Sequence, residues 1–312
     1  MPFVAHWDEV EREREELGPL ASWTTDLGTA AGTISVGVTR WQVDPGMRST
    51  PAHVELAEEE IFFVLAGSGL SWQSDGETTA AYEIGAGDCI VYLATEVVHT
   101  LRAGPDGLDV LAFGQRAYPG GTWLPRASVV RMPPAWADAP AGTPHPWQRE
   151  ADAGELEFPE PSARPSNIVH VGAVEEDRDE HRAFESIWRE LGRSAGSLRT
   201  GLNHVEVAAG NLASPLHCHS AEEEIFVVLD GEGTLLLGDE RISLRPGHVV
   251  GRPPGTRVAH ALEAGDGGLT FLAYGTREPN DIAYYPRSGK LNFRGVGVIT
   301  RIEKLDYWDG EA

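Results

Sequence analysis

The sequence predicts an all-β protein built from two similar small barrels or sandwiches, one in each half of the chain. Its 312 residues are enough for two cores, since a domain usually takes about 100–200 residues. The 36 glycines and 21 prolines are spread throughout, which favours many turns between short strands over long helices. The third observation is an internal repeat, which makes the two halves copies of one unit.

The repeat keeps a fixed register along the chain. An offset of 164 residues superimposes the first half on the second, and after a small net deletion the offset becomes 161. The first offset carries His6 to His170, Gly46 to Gly210, His53 to His217, Glu60 to Glu224 and Gly67 to Gly231, and the second carries His99 to His260 and Arg116 to Arg277. Such a register predicts a tandem duplication.

The division into domains follows from this repeat. We predict a first domain over 1–132, a proline-rich linker over 133–166 and a second domain over 167–312. The linker contains eight prolines but also Trp136 and Trp147, so we expect it to pack on a domain.

Each half is expected to begin with a short helix and to continue as strands. In "DEHRAFESIWRELG" the apolar residues Phe184, Ile187, Trp188 and Leu191 recur at helical spacing, with Gly192 as a stop signal. The stretches "LRTGLNHVEVAAG", "EIFVVLDGEG", "GTLLLGDERISL", "HVVGRPPG" and "LTFLAYGTR" are typical of strands. Gly238-Asp239 predicts a hairpin turn. Strands at this spacing indicate a barrel or sandwich.

Composition excludes several functions. A net charge of −23 provides no basic face for phosphates, so we expect no nucleic-acid partner. Two cysteines cannot form a disulfide framework and suit a reducing compartment. The N-terminus turns acidic at once and no apolar run is long enough to span a bilayer, so we expect a cytoplasmic protein without a membrane partner.

A cluster of histidines in the second half predicts a metal site. His217 and His219 lie two apart on a predicted strand and share a face, with Cys218 on the other side. Glu224 opens the next strand and His260 begins a later one. Three imidazoles and a carboxylate that converge in a barrel suit a divalent transition metal with open coordination positions.

At these residues the sequence resembles the cupin superfamily. The first motif of that family reads here as Gly210-x6-His217-Cys218-His219-x4-Glu224-x6-Gly231, and the second as Gly247-x5-Pro253-Pro254-Gly255-x4-His260. The resemblance implies two tandem double-stranded β-helix (jelly-roll) barrels, a bicupin. It also implies that His217, His219, Glu224 and His260 bind Fe, Mn, Ni or Zn. Among three adjacent glutamates, Glu224 is the one at the family's distance from the glycine.

The first half departs from this pattern at one ligand. His53, Glu60 and His99 hold the places of His217, Glu224 and His260, but Glu55 replaces the second histidine, and the PxG element is missing. Two histidines and two carboxylates can still hold Fe, Mn or Zn, although the carboxylates repel one another unless a cation or proton lies between them. A second metal site and a relic of one are both left open.

Other residues are candidates for the substrate pocket. Phe226 and Val228 share a face with Glu224, while Arg257 lies three residues before His260 and Tyr274 lies on a late strand. The tail "YGTREPNDIAYYPRSGKL" is similar to the last segment of a large group of bacterial cupin proteins with no settled activity.

The leading functional hypothesis is a metal-dependent oxidoreductase of dioxygenase type, acting on a small carbonyl or hydroxylated substrate in the second barrel. The cupin resemblance also allows a metal-dependent isomerase or decarboxylase, and a non-catalytic cupin that binds a sugar-like small molecule. No catalytic residue beyond the metal ligands is assigned. Association with further copies of the chain is left open.

Overall fold

The computed structural model of the chain describes residues 3–132, 135–137 and 145–311, with 135–137 given as backbone only. The side chain of Trp136 therefore lies outside the described residues. The first half contains β1 (Val4–His6), β2 (Glu13–Leu17), β3 (Leu20–Asp26), α1 (Leu27–Ala30), β4 (Val36–Val43), β5 (Val54–Glu55), β6 (Glu60–Ser74), β7 (Thr79–Gly85), β8 (Asp88–Tyr92), β9 (Val98–Gln115), β10 (Thr122–Leu124), β11 (Val129–Met132), β12 (Ala135–Ala137) and α2 (Pro146–Asp152). The second half contains β13 (Ile168–His170), β14 (Asp177–His181), β15 (Phe184–Arg189), α3 (Leu191–Ser194), β16 (Thr200–Val207), β17 (Cys218–His219), β18 (Glu224–Leu237), β19 (Glu240–Leu244), β20 (His248–Arg252), β21 (His260–Thr276), β22 (Ile282–Tyr285), β23 (Lys290–Phe293) and β24 (Val298–Arg301). Two 3₁₀ turns, Val171–Ala173 and Arg294–Val296, complete these elements.

The strands form two barrels of the same design, which confirms the all-β prediction. One eight-stranded sheet has the order β13-β8-β6-β9-β4-β3-β2, and the other has the order β1-β20-β18-β21-β16-β15-β14, with β7 and β19 paired to β6 and β18. Two four-stranded sheets, β12-β11-β10-β5 and β17-β22-β23-β24, complete the barrels. All strand pairs within these sheets are antiparallel.

The two barrels exchange their first strands. β1 pairs with β20 of the second barrel, where Ala5 lies opposite Val249. β13 pairs with β8 of the first barrel, where Val169 lies opposite Cys89. Each half therefore completes the sheet of the other, and the repeat of His6 and His170 marks equivalent exchanged strands.

The helix predicted over 179–192 is wrong for most of its length. β14 and β15 form an antiparallel hairpin there, and the helix α3 begins only at Leu191. The reason is tertiary: β15 pairs with β16 over Ser186–Arg189, so its aromatic and branched side chains pack on a sheet face. The predicted hairpin at Gly238-Asp239 is present, with Leu237 opposite Glu240.

A single core joins the halves. It contains buried residues from both barrels, including Cys89, Phe113, Leu272 and Tyr274, and the rings of Phe113 and Tyr274 lie 5.0 Å apart. Burial of this apolar surface holds the barrels face to face.

Two buried glutamates tie the halves together reciprocally. Glu59 of the first barrel accepts hydrogen bonds from the backbone N–H groups of Leu198, Arg199 and Thr200 in the second half, at 2.5–2.9 Å. Glu223, its counterpart, accepts from the N–H groups of Ile34, Ser35 and Val36 in the first half. Carboxylates that accept several backbone N–H groups are firmly held as anions.

The helix α2 packs on the first barrel. Its Glu150 is fully buried and lies 2.8 Å from a guanidinium nitrogen of Arg48 and 3.0 Å from one of Arg126. In the part of the chain that the structure describes, no helix has the length and apolar character that a membrane crossing requires.

Candidate metal centres

The four predicted ligands of the second barrel lie on neighbouring strands at one end of the sheet. Glu224 begins β18, His260 begins β21 and His219 ends β17. His217 forms a bridge with His260, with backbone N–H to O distances of 3.2 and 2.8 Å. Strand pairing thus brings together residues that are far apart in the sequence.

The side chains converge on one carboxylate oxygen. Glu224 Oε2 lies 3.0 Å from His260 Nε2, 3.4 Å from His219 Nε2 and 4.0 Å from His217 Nε2. Among the described residues, Nε2 of His219, Nε2 of His260 and Glu224 Oε2 are buried without a hydrogen bond of acceptable geometry. Buried polar atoms are rarely left unsatisfied, so three of them at one point fit a bound cation. The nitrogen and oxygen donors suit a divalent transition metal.

Backbone and carboxylate partners orient the imidazoles. Asp281 Oδ2 lies 2.6 Å from His219 Nδ1, and His217 Nδ1 lies 2.8 Å from the carbonyl oxygen of Pro215. Such contacts fix the tautomer that leaves Nε2 free as a ligand. Asp281 was not assigned from the sequence, although the tail stretch "YGTREPND", which ends on it, was the signal that could have found it.

The electrostatics of this cluster favour two neutral histidines beside an anion. Burial would lower the pKa of His219, but Glu224 and Asp281 outweigh it and raise that pKa. Burial lowers the pKa of His217 to about 4, and burial also lowers the pKa of His260. Burial would raise the pKa of Glu224, but His219 and His260 outweigh it and hold that pKa well below its usual range. A neutral imidazole and an ionised carboxylate are the forms that bind metal.

The three adjacent glutamates have different roles. Glu224 points to the histidine cluster, and Glu223 binds the other half of the molecule. Glu222 borders the cavity beside the cluster, where it accepts from the N–H group of Glu278 and lies 3.3 Å from Arg294 Nε. Burial is the main reason why the pKa of Glu222 is raised to about 7.

The first barrel brings together the equivalent residues, but they satisfy one another. His99 Nε2 lies 2.9 Å from Glu60 Oε2, and His53 Nε2 lies 3.5 Å from the same atom. Glu55 lies farther away, 3.9 Å from His53 Nε2, and accepts a hydrogen bond from the Thr122 hydroxyl at 2.8 Å. Among the described residues, no side-chain atom of these four ligand candidates is buried without a partner.

The charge of the first cluster centres on His53 and its two carboxylates. Burial lowers the pKa of His53, but Glu60 and Glu55 outweigh it and raise that pKa to about 9. Burial and the charge of Glu60 raise the pKa of Glu55 to about 7. Without metal, each cluster therefore favours one protonated imidazole beside its carboxylate, His53 in the first barrel and His219 in the second.

A cavity of about 530 Å³ opens beside the second cluster. His217, Glu224 and His260 lie on its wall with Phe226, as predicted for a pocket. Val228 is fully buried in the core of the second barrel. Tyr274 borders the cavity with part of its surface, but its ring packs in the core between the halves. Arg257 is exposed on a turn at a φ of 58° and is not part of the wall described.

The cavity beside the first cluster is smaller, about 260 Å³. His53, Glu55 and Glu60 lie on its wall, and Trp147 of α2 contributes to it from the linker. The helix α2 therefore borders the cavity of the first barrel but not that of the second.

Comparison with known proteins agrees with this architecture. A family model described as "Cupin domain" matches residues 203–273, which include Glu224 and His260. Comparison with curated protein sequences gave no match.

Oxalate decarboxylases are among the solved structures with the same fold. The enzyme of Lactobacillus farciminis in complex with formate is 17% identical with a TM-score of 0.60, and the alignment covers 90% of this chain and 88% of that one. A variant of the Bacillus subtilis enzyme is 15% identical with a TM-score of 0.60, over 87% of this chain and 76% of that one. At these identities the likeness establishes the fold. That fold is two tandem cupin barrels, and the family model places a cupin domain in the second of them.

Proposed function

We propose that the chain is a metal-dependent decarboxylase of a small oxo acid, with its centre at His217, His219, Glu224 and His260. The observation that carries this proposal is the set of three buried donor atoms without hydrogen bonds, on His219, Glu224 and His260. A hydrogen-bonded relic would have satisfied these atoms, as the first barrel does with Glu60 and His99.

Decarboxylation is preferred to the dioxygenase chemistry that the sequence first suggested. Oxalate decarboxylases are among the solved structures of the same fold, and their alignments cover 87–90% of the chain. Fold alone does not determine an activity, so the likeness supports the choice without deciding it.

The reaction balances without an oxidant. In a 3-oxo acid the bond between the carboxylate and its neighbouring carbon breaks, carbon dioxide leaves, and the electron pair moves toward the ketone oxygen; a proton from water then adds to the carbon. A bound divalent metal would act as a Lewis acid that stabilises negative charge on that oxygen.

The side chains of the chain prepare this site. Asp281 holds His219 with Nε2 toward the centre, and Pro215 does the same for His217 through its carbonyl. Phe226 and Phe271 line the adjoining cavity and form an apolar wall beside the centre.

The test combines gas and oxygen measurements on metal-loaded protein. With acetoacetate as the trial substrate, we expect carbon dioxide release without oxygen uptake at an oxygen electrode, and loss of release in His260→Ala. Oxygen uptake in step with turnover would instead support a dioxygenase. Metal-loaded protein that turns over no oxo acid but binds one would support a non-catalytic cupin.

A further inference from the structure

We infer that the cavity of the second barrel takes a chelating substrate with an apolar, ring-sized body, and not a two-carbon dicarboxylate. The inference rests on the proposed metal centre at one end of the cavity. It concerns the part of the cavity wall that is formed by residues other than the proposed metal ligands.

The inner wall next to the ligands is apolar. On β18, Phe226 is the next residue after Glu224 on the inward face of the strand, and it lies opposite Ala273 of β21. On β21, Phe271 is the neighbour of Ala273 on the same inward face. Leu262 and Ala213 extend the same surface. A hydrocarbon body placed here would leave water on binding, which is favourable in proportion to its apolar area.

A polar side chain interrupts this inner wall, and the carboxylate residues Glu190, Glu222 and Glu278 also border the cavity. Asn203 of β16 lies opposite Ala273 and borders the cavity. An amide can donate to or accept from a single neutral oxygen or nitrogen, but it carries no charge to balance a second carboxylate.

Two of the three cations on the described cavity wall are already paired with carboxylates. Among the described residues of the wall the cations are three arginines. Arg294 lies 3.3 Å from Glu222, Arg193 lies 3.3 Å from Glu190, and Arg277 donates to the carbonyl oxygen of Ser197 at 2.9 Å. A buried charge without a partner is costly. A second carboxylate of the substrate would therefore be disfavoured in this cavity.

Size leads to the same class of ligand. A volume of about 530 Å³ lies within the range of about 300–1,000 Å³ that is usual for pockets that bury molecules of drug size. A two-carbon acid would leave most of the apolar wall in contact with water. The wall instead fits a substrate whose chelating oxygens face the metal and whose body carries a ring or branched chain.

The test uses inert chelators that share one head group. Acetohydroxamate and benzohydroxamate differ only in a methyl or phenyl body, and oxalate serves as the dicarboxylate. Binding to metal-loaded protein is measured by calorimetry. We expect benzohydroxamate to bind at least about tenfold more tightly than acetohydroxamate, from the burial of its ring. Equal affinities, no binding of either, or tightest binding of oxalate would overturn the inference.

Two matched variants locate the effect. Ala273→Phe fills the cavity of the second barrel opposite Phe226. Ala112→Phe makes the equivalent change in the first barrel, where Ala112 lies opposite Phe62. We expect Ala273→Phe to abolish the preference for the phenyl body while acetohydroxamate still binds and metal content is unchanged. Ala112→Phe should keep the preference. A preference that disappears only in Ala112→Phe would place the body in the wrong barrel and contradict the inference.

Failure of the inference is distinct from failure of the proposed function. Metal content is measured on the same samples by elemental analysis, independently of turnover. Protein that binds metal and prefers the phenyl body but releases no carbon dioxide would refute the decarboxylase alone. Protein that decarboxylates acetoacetate but shows no preference would refute the inference alone.

Discussion

Asp281→Asn tests whether the contact to His219 prepares the metal centre. In the wild type one carboxylate oxygen of Asp281 lies 2.6 Å from His219 Nδ1, and the other accepts from the backbone N–H groups of Ser220, Ala221 and Glu222 at 2.9–3.1 Å. Both oxygens of the carboxylate accept, whereas an asparagine amide offers one acceptor and one donor.

Either orientation of the asparagine amide therefore creates a conflict. If its NH₂ group faces His219 Nδ1, the imidazole must carry its proton on Nε2, which then cannot bind metal. If the NH₂ group faces the loop, it meets backbone N–H donors, and losing a charged acceptor there costs about 1.5–3 kcal/mol. Outer partners of metal-bound histidines typically change metal affinity by about 10–100-fold, which is about 1.4–2.8 kcal/mol.

We expect Asp281→Asn to weaken metal binding by about 10–100-fold. Competition with a chelator of known affinity measures the change, and urea unfolding of metal-free protein measures the loss of stability separately. Asp109→Asn is the control, because Asp109 pairs with Arg40 on the outside of the first barrel. Metal affinity of Asp281→Asn equal to that of wild type would refute this reasoning.

Three further changes have expected outcomes. Burial would raise the pKa of Glu59, but its hydrogen bonds to the second half outweigh burial and lower that pKa. The ionised carboxylate therefore stabilises the fold above the unfolded pKa of about 4.3, and this stabilisation is lost as the pH falls. Glu59→Gln should lower the free energy of unfolding by about 1–3 kcal/mol at pH 7 and by less at pH 4, as measured by denaturant titration at each pH. An equal loss at the two pH values would contradict the charge argument. Glu55→His should give the first barrel three histidines and one glutamate, and elemental analysis should then find tighter metal binding there; unchanged binding would mean that more than this ligand is missing. Glu150→Gln should destabilise the protein by about 3–5 kcal/mol, because it leaves the guanidinium of Arg48 buried beside a neutral partner. A melting temperature of the variant equal to that of the wild type would contradict this expectation.

The sequence predicted the repeated barrels because strand periodicity, turn residues and the internal register all agree. The duplication also located the two candidate metal clusters, since equivalent positions of a repeat occupy equivalent places in space. The helix over 179–192 failed because its apolar spacing suits a helix and a half-buried strand alike. Pairing with β16, a long-range contact, decided between them.

Long-range contacts also explain what the sequence did not predict. The exchange of β1 and β13 depends on how the barrels face each other, which no local pattern records. Asp281 reaches His219 across 62 positions of the chain, so its role is visible only in the fold. Of the three adjacent glutamates, spacing identified Glu224, but the partners of Glu222 and Glu223 come from other segments.

The central claim is that the second barrel holds the tight metal centre. Elemental analysis of purified protein, counting metal per chain in wild type, His219→Ala and Glu55→Ala, tests it most directly. We predict that His219→Ala loses one metal per chain relative to wild type, while Glu55→Ala retains that metal. Wild-type protein without a transition metal, or His219→Ala with an unchanged count, would contradict the account.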